Sequence, residues 1–242
     1  VLELCGGALS SPSFDEGALG REKEVQRADL LESLQDPLKT SFRLLRESLF
    51  GYQNYGLPML GTEESLNNID RGMLQEHHQK FITPENGVLA IFGDINPGQI
   101  IEICNRVFAT LPKGRKSNAP GDEASQPSPS DIVHNLNKEQ TVVTVGYPGA
   151  HITSEDIPAL EVIHEYCSNM AGPLFTRMRD ELGLAYYVNA TQFHGFGKGL
   201  FAFYIGTAPD KAALARQELL TQIEILTQEG IAENRLSHTK TS

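Results

Sequence analysis

Leu174-Phe-Thr-Arg-Met-Arg-Asp-Glu-Leu-Gly-Leu-Ala-Tyr-Tyr-Val188 reads as a helix that halts at a glycine and turns directly into a strand. Pro173 suits the first helical position, where its missing N–H would be unpaired in any case. Leu174, Met178 and Leu182 recur at i, i+4 and i+8 and make one apolar face. Gly183 suits the left-handed cap that ends such a helix. Ala185-Tyr186-Tyr187-Val188 then reads as strand, because aromatic and β-branched side chains fit a pleated, half-buried surface. Arg179 near the helix end and Tyr186 just into the strand would flank one turn. A guanidinium and a phenol converging there would hold a peptide carbonyl or a developing oxyanion. Taken alone, these residue types more ordinarily make a surface arginine and a half-buried tyrosine.

Working outward, the same unit starts with a strand at Thr141-Val-Val-Thr-Val145. Thr153 or Ser154 would cap a helix whose Ile157, Leu160, Ile163 and Cys167 face a core. Gly195-Phe-Gly-Lys-Gly199 is a hairpin turn before a β-prone run, Leu200 to Ile205. Thr207-Ala-Pro-Asp210 leads into a long helix with Leu214, Leu219, Ile223 and Leu226 inward and Gly230 as its stop. A further helix starts at Ile231. Upstream, Lys113 to Ser130 interleaves proline with serine and holds no large apolar residue, which marks a linker. The expected domains are therefore residues 1–112 and 131–242, joined by 113–130.

In the first unit, Val1 to Leu9 resembles the tail of a helix, and a polar helix runs through Glu22 to Asp29. Asp36-Pro37 is a cap followed by proline at the first helical position, and Phe42, Leu45 and Leu49 form a stripe that ends at Gly51. A helix opens at Asp70 with Met73, His77 and Phe81 along one face. Val88-Leu-Ala-Ile-Phe92 is a continuous apolar run, read as a buried strand. Pro97 starts a helix carrying Ile100, Ile101, Cys104, Val107 and Phe108. Strands and helices separated by hairpin-like glycine turns give an α+β class and argue against a Rossmann alternation.

The 242 residues carry a net charge of -11, without the basic stripe that a nucleic-acid binder shows. No stretch approaches the ~20 apolar residues of a membrane helix. Cys5, Cys104 and Cys167 are far apart and odd in number, so no disulfide framework or cysteine zinc site is indicated. No two of the 7 histidines stand four apart, and His77 and His78 are adjacent, so they diverge around a helix. No nucleophile elbow or phosphate loop is present. The chain opens without methionine, which suggests a piece of something longer.

The order of motifs resembles one family. Leu49-Phe-Gly-Tyr-Gln-Asn-Tyr-Gly56, Gly61-Thr-Glu-Glu-Ser-Leu66, Phe81-Ile-Thr-Pro-Glu-Asn86 and Ile91-Phe-Gly-Asp-Ile-Asn-Pro97 are similar to the closing part of an insulinase/pitrilysin-type peptidase domain. Gln140 to Gly146 and Arg177 to Tyr186 are similar to the opening of the following domain. The resemblance implies two partial insulinase-type (processing-peptidase-like) units, each a mainly antiparallel sheet covered by helices. It implies a parent that is a zinc-dependent peptidase acting on unfolded peptides or small proteins. The zinc would be held by a His-x-x-Glu-His motif outside this chain, in an upstream half or a paired subunit. Within the chain it implies no metal of its own and no turnover. Asp29 falls at the likely degenerate third-ligand position, with Glu32 the candidate if the alignment slips. The resemblance gives Arg179 and Tyr186 the task of clasping substrate carbonyls and stabilising the tetrahedral intermediate, and it places Tyr187 in substrate binding. The rival from another class is a catalytically inactive peptide-binding or structural subunit of the same fold, and a weaker one is an unrelated α+β binding module.

Overall fold

The computed structural model describes residues 1–114, 116 and 130–239. Most of the expected linker, Arg115 and residues 117–129, therefore lies outside the described residues. In chain order the helices are α1 (Leu2–Ser10), α2 (Glu16–Gln35), α3 (Pro37–Phe50), α4 (Glu63–Asn68), α5 (Arg71–Phe81) and α6 (Pro97–Val107). Strand β1 (Thr141–Pro148) precedes α7 (Ile157–Ser168) and α8 (Pro173–Phe175), which runs on into a π-helical turn, Thr176–Glu181. Strands β2 (Tyr187–Phe193) and β3 (Leu200–Thr207) follow, then α9 (Ala212–Glu229) and α10 (Glu233–Thr239). The chain divides into two compact units. One is formed by Val1–Leu30 with Leu60–Ala119, the other by Leu31–Met59 with Pro120–Ser242.

Every regular element among the first unit's described residues is a helix. The starts of α4, α5 and α6 are fixed by side-chain caps, which satisfy N–H groups that have no partner within the helix. The Met73 N–H donates to the Asp70 carboxylate at 2.8 Å, and the Gln99 N–H to the Asn96 side chain at 3.2 Å. Thr62 and Ser65 bond reciprocally across the first turn of α4. Gly6 lets α1 lie directly against Val107 of α6, where any side chain would collide. Arg27 of α2 donates to Glu63 and to Asn67 of α4, both at 2.8 Å.

Val88 to Phe92 departs from expectation. The run is not paired as a strand, and Val88 and Phe92 are 98% and 93% exposed. A strand exists only through a partner that accepts its backbone hydrogen bonds, and the described residues of this unit offer none. Among the described residues an antiparallel sheet is thus found in one unit, not in each of the two.

The second unit is built on that sheet, ordered β1-β3-β2 and antiparallel throughout. Because side chains alternate along a strand, the sheet has two differently covered faces. Val143, Val145, Val188, Ala190, Phe201, Phe203 and Ile205 face a core closed by Cys167 of α7, Leu174 and Met178, and Ala215 and Leu219 of α9. The opposite face carries Leu200 and Ala202 under Phe42, Leu45 and Leu49 of α3. α3 begins as expected: the Asp36 carboxylate accepts from the N–H groups of Leu38 and Lys39 at 2.8 and 2.9 Å. Two details differ from the sequence reading. On α9, Leu219, Ile223 and Leu226 face inward as expected, but Leu214 is exposed and Ala215 takes its place in the core. Helix α7 starts after Asp156, and Ser154 instead accepts the Asp156 N–H at 3.2 Å.

Candidate functional site

The helix–glycine–strand segment lies wholly within the second unit. Pro173 occupies the first turn of α8, as its fixed φ favours. The helix then widens: the Leu182 N–H reaches back five residues to Arg177 O, at 3.2 Å. Such turns are uncommon and recur at functional positions. Gly183, with φ at +59°, ends it; its N–H donates to Arg179 O at 3.1 Å, and the Leu184 N–H to Met178 O at 2.8 Å. A left-handed glycine here satisfies carbonyls that the helix end leaves free.

The turn is tied to its surroundings at four points. Thr207 Oγ1 donates to Leu184 O at 2.7 Å, inside the core. The Tyr186 N–H donates to Gly206 O at 2.8 Å, which joins the segment to β3 before β2 formally begins. Lys211 Nζ donates to Gly183 O at 3.0 Å. Arg177 Nε donates to Glu218 Oε1 on α9 at 2.8 Å, while its Nη1 donates to Glu181 Oε2 at 2.8 Å. Gln222 Nε2 adds a second donor to Glu218 Oε1 at 3.1 Å. Charge-assisted bonds of this kind are the strong ones. Arg177 holds the Glu218 carboxyl below the usual carboxylate range, and the two carboxylates in turn raise Arg177.

Arg179 is different. It is exposed, and its guanidinium stands 4.8 Å from the centroid of the Phe175 ring, one turn back. Among the described residues no carboxylate pairs with it. Tyr186 is 61% exposed, although Leu184 and Val188 on either side are buried. Tyr187 points to the α3 face, where its ring covers Gly206 and lies 6.1 Å from the Tyr204 ring. Burial pushes the Tyr187 phenol up, with Asp36 and Tyr204 adding to the effect.

Other candidate chemistry is weaker. Asp29 is an exposed residue of α2, and no three His, Cys, Asp or Glu side chains gather as a metal cage among the described residues. The residues present therefore do not fit a zinc ion. Cys167 is buried, and its thiol is pushed up to about 12, so it stays protonated and inert. The salt bridges of Arg177 are what sequence reasoning missed near the turn; only the Glu181 partner, four residues on, had a local signal.

Comparison with known proteins bears on the same segment. Residues 68–242 match the family model described as the peptidase M16 inactive domain. The chain is 26% identical, over 95% of its length, to an uncharacterized zinc protease of Rickettsia bellii, and covers 55% of that protein. It is 25% identical, over 99% of its length, to an uncharacterized zinc protease of Bacillus subtilis, and covers 58% of it. The chain thus spans a little over half the length of the curated relatives it matches. In fold it is similar to a crystal structure of a peptidase M16 inactive domain from Pseudomonas fluorescens, with a TM-score of 0.90 at 23% identity over 99% of this chain and 58% of that one. A protease from Helicobacter pylori gives a TM-score of 0.87 at 19% identity, over 99% of this chain and 60% of that one. No helix among the described residues is long and apolar enough to cross a membrane. A family match across most of the chain, covering the glycine turn and everything that ties it down, means that the chain belongs to the insulinase/pitrilysin-type M16 peptidase family, as part of its non-catalytic half.

Proposed function

We propose that the chain is the substrate-clasping side of a zinc-dependent endopeptidase whose metal is held in a different part of the whole protein or in a paired subunit. The names of the Rickettsia and Bacillus relatives support zinc in the parent. In this reading Arg179 and Tyr186 donate hydrogen bonds to the carbonyl oxygen of an extended, unfolded peptide as negative charge builds on it. Tyr187, whose ring packs over Gly206 on the α3 face, lies on the other side of the strand from Tyr186 and is left out of this clasp. The observation that carries the reading is the contrast between two neighbouring arginines: Arg177 is committed to two carboxylates, whereas Arg179 is exposed and free of them. A cation kept without an anion, at one end of a tethered turn whose other end carries an exposed phenol, is suited to an anionic or polarised ligand.

The test is Tyr186→Phe in the complete protein, assayed on an unfolded peptide. Loss of one oxyanion donor should lower kcat/KM by ~100-fold or more, with the melting temperature little changed. Unaltered kcat/KM would remove Tyr186 from the chemistry. The description of the matched family as an inactive domain favours a second reading, a peptide-binding or structural subunit without turnover. That reading requires that no zinc copurify with the complete protein.

A further inference from the structure

We propose that Arg177 and Glu218 are positioning residues, whose ion pair sets the direction in which Arg179 is presented to the peptide; this rests on the function proposed above. Residues two apart on a helix point to nearly opposite sides. Arg177 and Arg179 are such a pair. Glu218 on α9 takes Arg177 Nε at 2.8 Å and is itself held by Gln222 Nε2 at 3.1 Å, so its carboxylate is fixed from its own helix. Its side chain is only 14% exposed. Once Arg177 is drawn onto α9, Arg179 must face the other way, to solvent.

The backbone alone does not fix this. A widened turn has longer-range hydrogen bonds and more freedom than an α-helical one. Met178 is fully buried and pins the inward side of the turn, and Gly183 pins its end. Rotation about the axis between those two points is left to the side chains on the flanks. The Phe175 ring, 4.8 Å from the Arg179 guanidinium, provides a flat apolar rest that restricts the arginine without neutralising it. Glu181 bridges Arg177 along the turn, but only Glu218 ties it to another element.

The experiment uses the complete protein with a peptide substrate and four variants: Arg179→Ala, Glu218→Ala, Arg177→Glu, and the swap Arg177→Glu with Glu218→Arg. Displacement of the presented group by about 1 Å costs on the order of 100-fold in rate. Glu218→Ala should therefore lower kcat by ~10- to 100-fold with KM nearly unchanged, and the swap should recover most of what Arg177→Glu loses. If Arg179→Ala abolishes turnover but Glu218→Ala leaves kcat intact, the positioning role is wrong and the clasping role stands. If Glu218→Ala lowers kcat and the swap recovers nothing, the pair is not the operative contact, and the proposal falls. If Arg179→Ala has no effect, both fall, because there is nothing to position.

Discussion

Gly183 sits at φ +59° with open space where a Cβ would be, so a substitution there meets backbone strain and nothing else. An L side chain in the left-handed region costs ~1 kcal/mol or slightly more, and asparagine tolerates it better than alanine. Gly183→Ala should lower the stability of the chain by about that amount, and Gly183→Asn by less. Thermal melts of the three proteins decide it; coincident curves for glycine and alanine would contradict the geometry. This residue was legible in sequence, as were Pro173 and the Asp36 cap, because each answers to its own backbone within a few positions. The pairing of Arg177 with Glu218 was not. The two are 41 positions apart, and only the packing of α9 against the turn brings them together.

At the scale of elements, the contact between the π-helical turn and α9 should leave a signature in acid. The Arg177 hydrogen bond and charge depress Glu218 in the folded state, so its contribution is present above the unfolded carboxylate value of ~4.3 and is lost as pH falls through the lower folded value. Glu218→Gln should therefore melt below the parent chain at neutral pH, and the gap should narrow as pH drops under about 4. A gap that is constant from pH 7 to 3 would show that the pair adds no pH-dependent stability. The strands of the second unit were readable from composition, since each is β-prone and each found a neighbour. Val88 to Phe92 is just as β-prone and did not, because pairing belongs to the partner as much as to the segment. The turn itself was half readable. Leu174, Met178 and Leu182 step by four, and a helix of 3.6 residues per turn drifts with each such step. Widening the turn keeps Leu174 and Met178 in the core and Leu182 packed against it, which the spacing hinted at and the cap rules did not.

For the whole molecule, metal removal is the plainest measurement. With no cluster of three ligating side chains among the described residues, a chelator should leave the melting temperature of this chain unchanged, and metal analysis should find only substoichiometric zinc. A fall in melting temperature on chelation would overturn this expectation. The family and the α+β class could be read from motif order, but not that the first unit's described residues hold no sheet, which no single segment encodes. One consequence follows from that unit. Val88, Leu89 and Phe92 present apolar side chains on the surface, in a run that pairs with no strand among the described residues. Such an edge is a template for the same run of another molecule. Concentrated preparations of this chain alone should accordingly drift toward fibrillar aggregates, seeded at that run, and a lysine at position 89 or 92 should slow them.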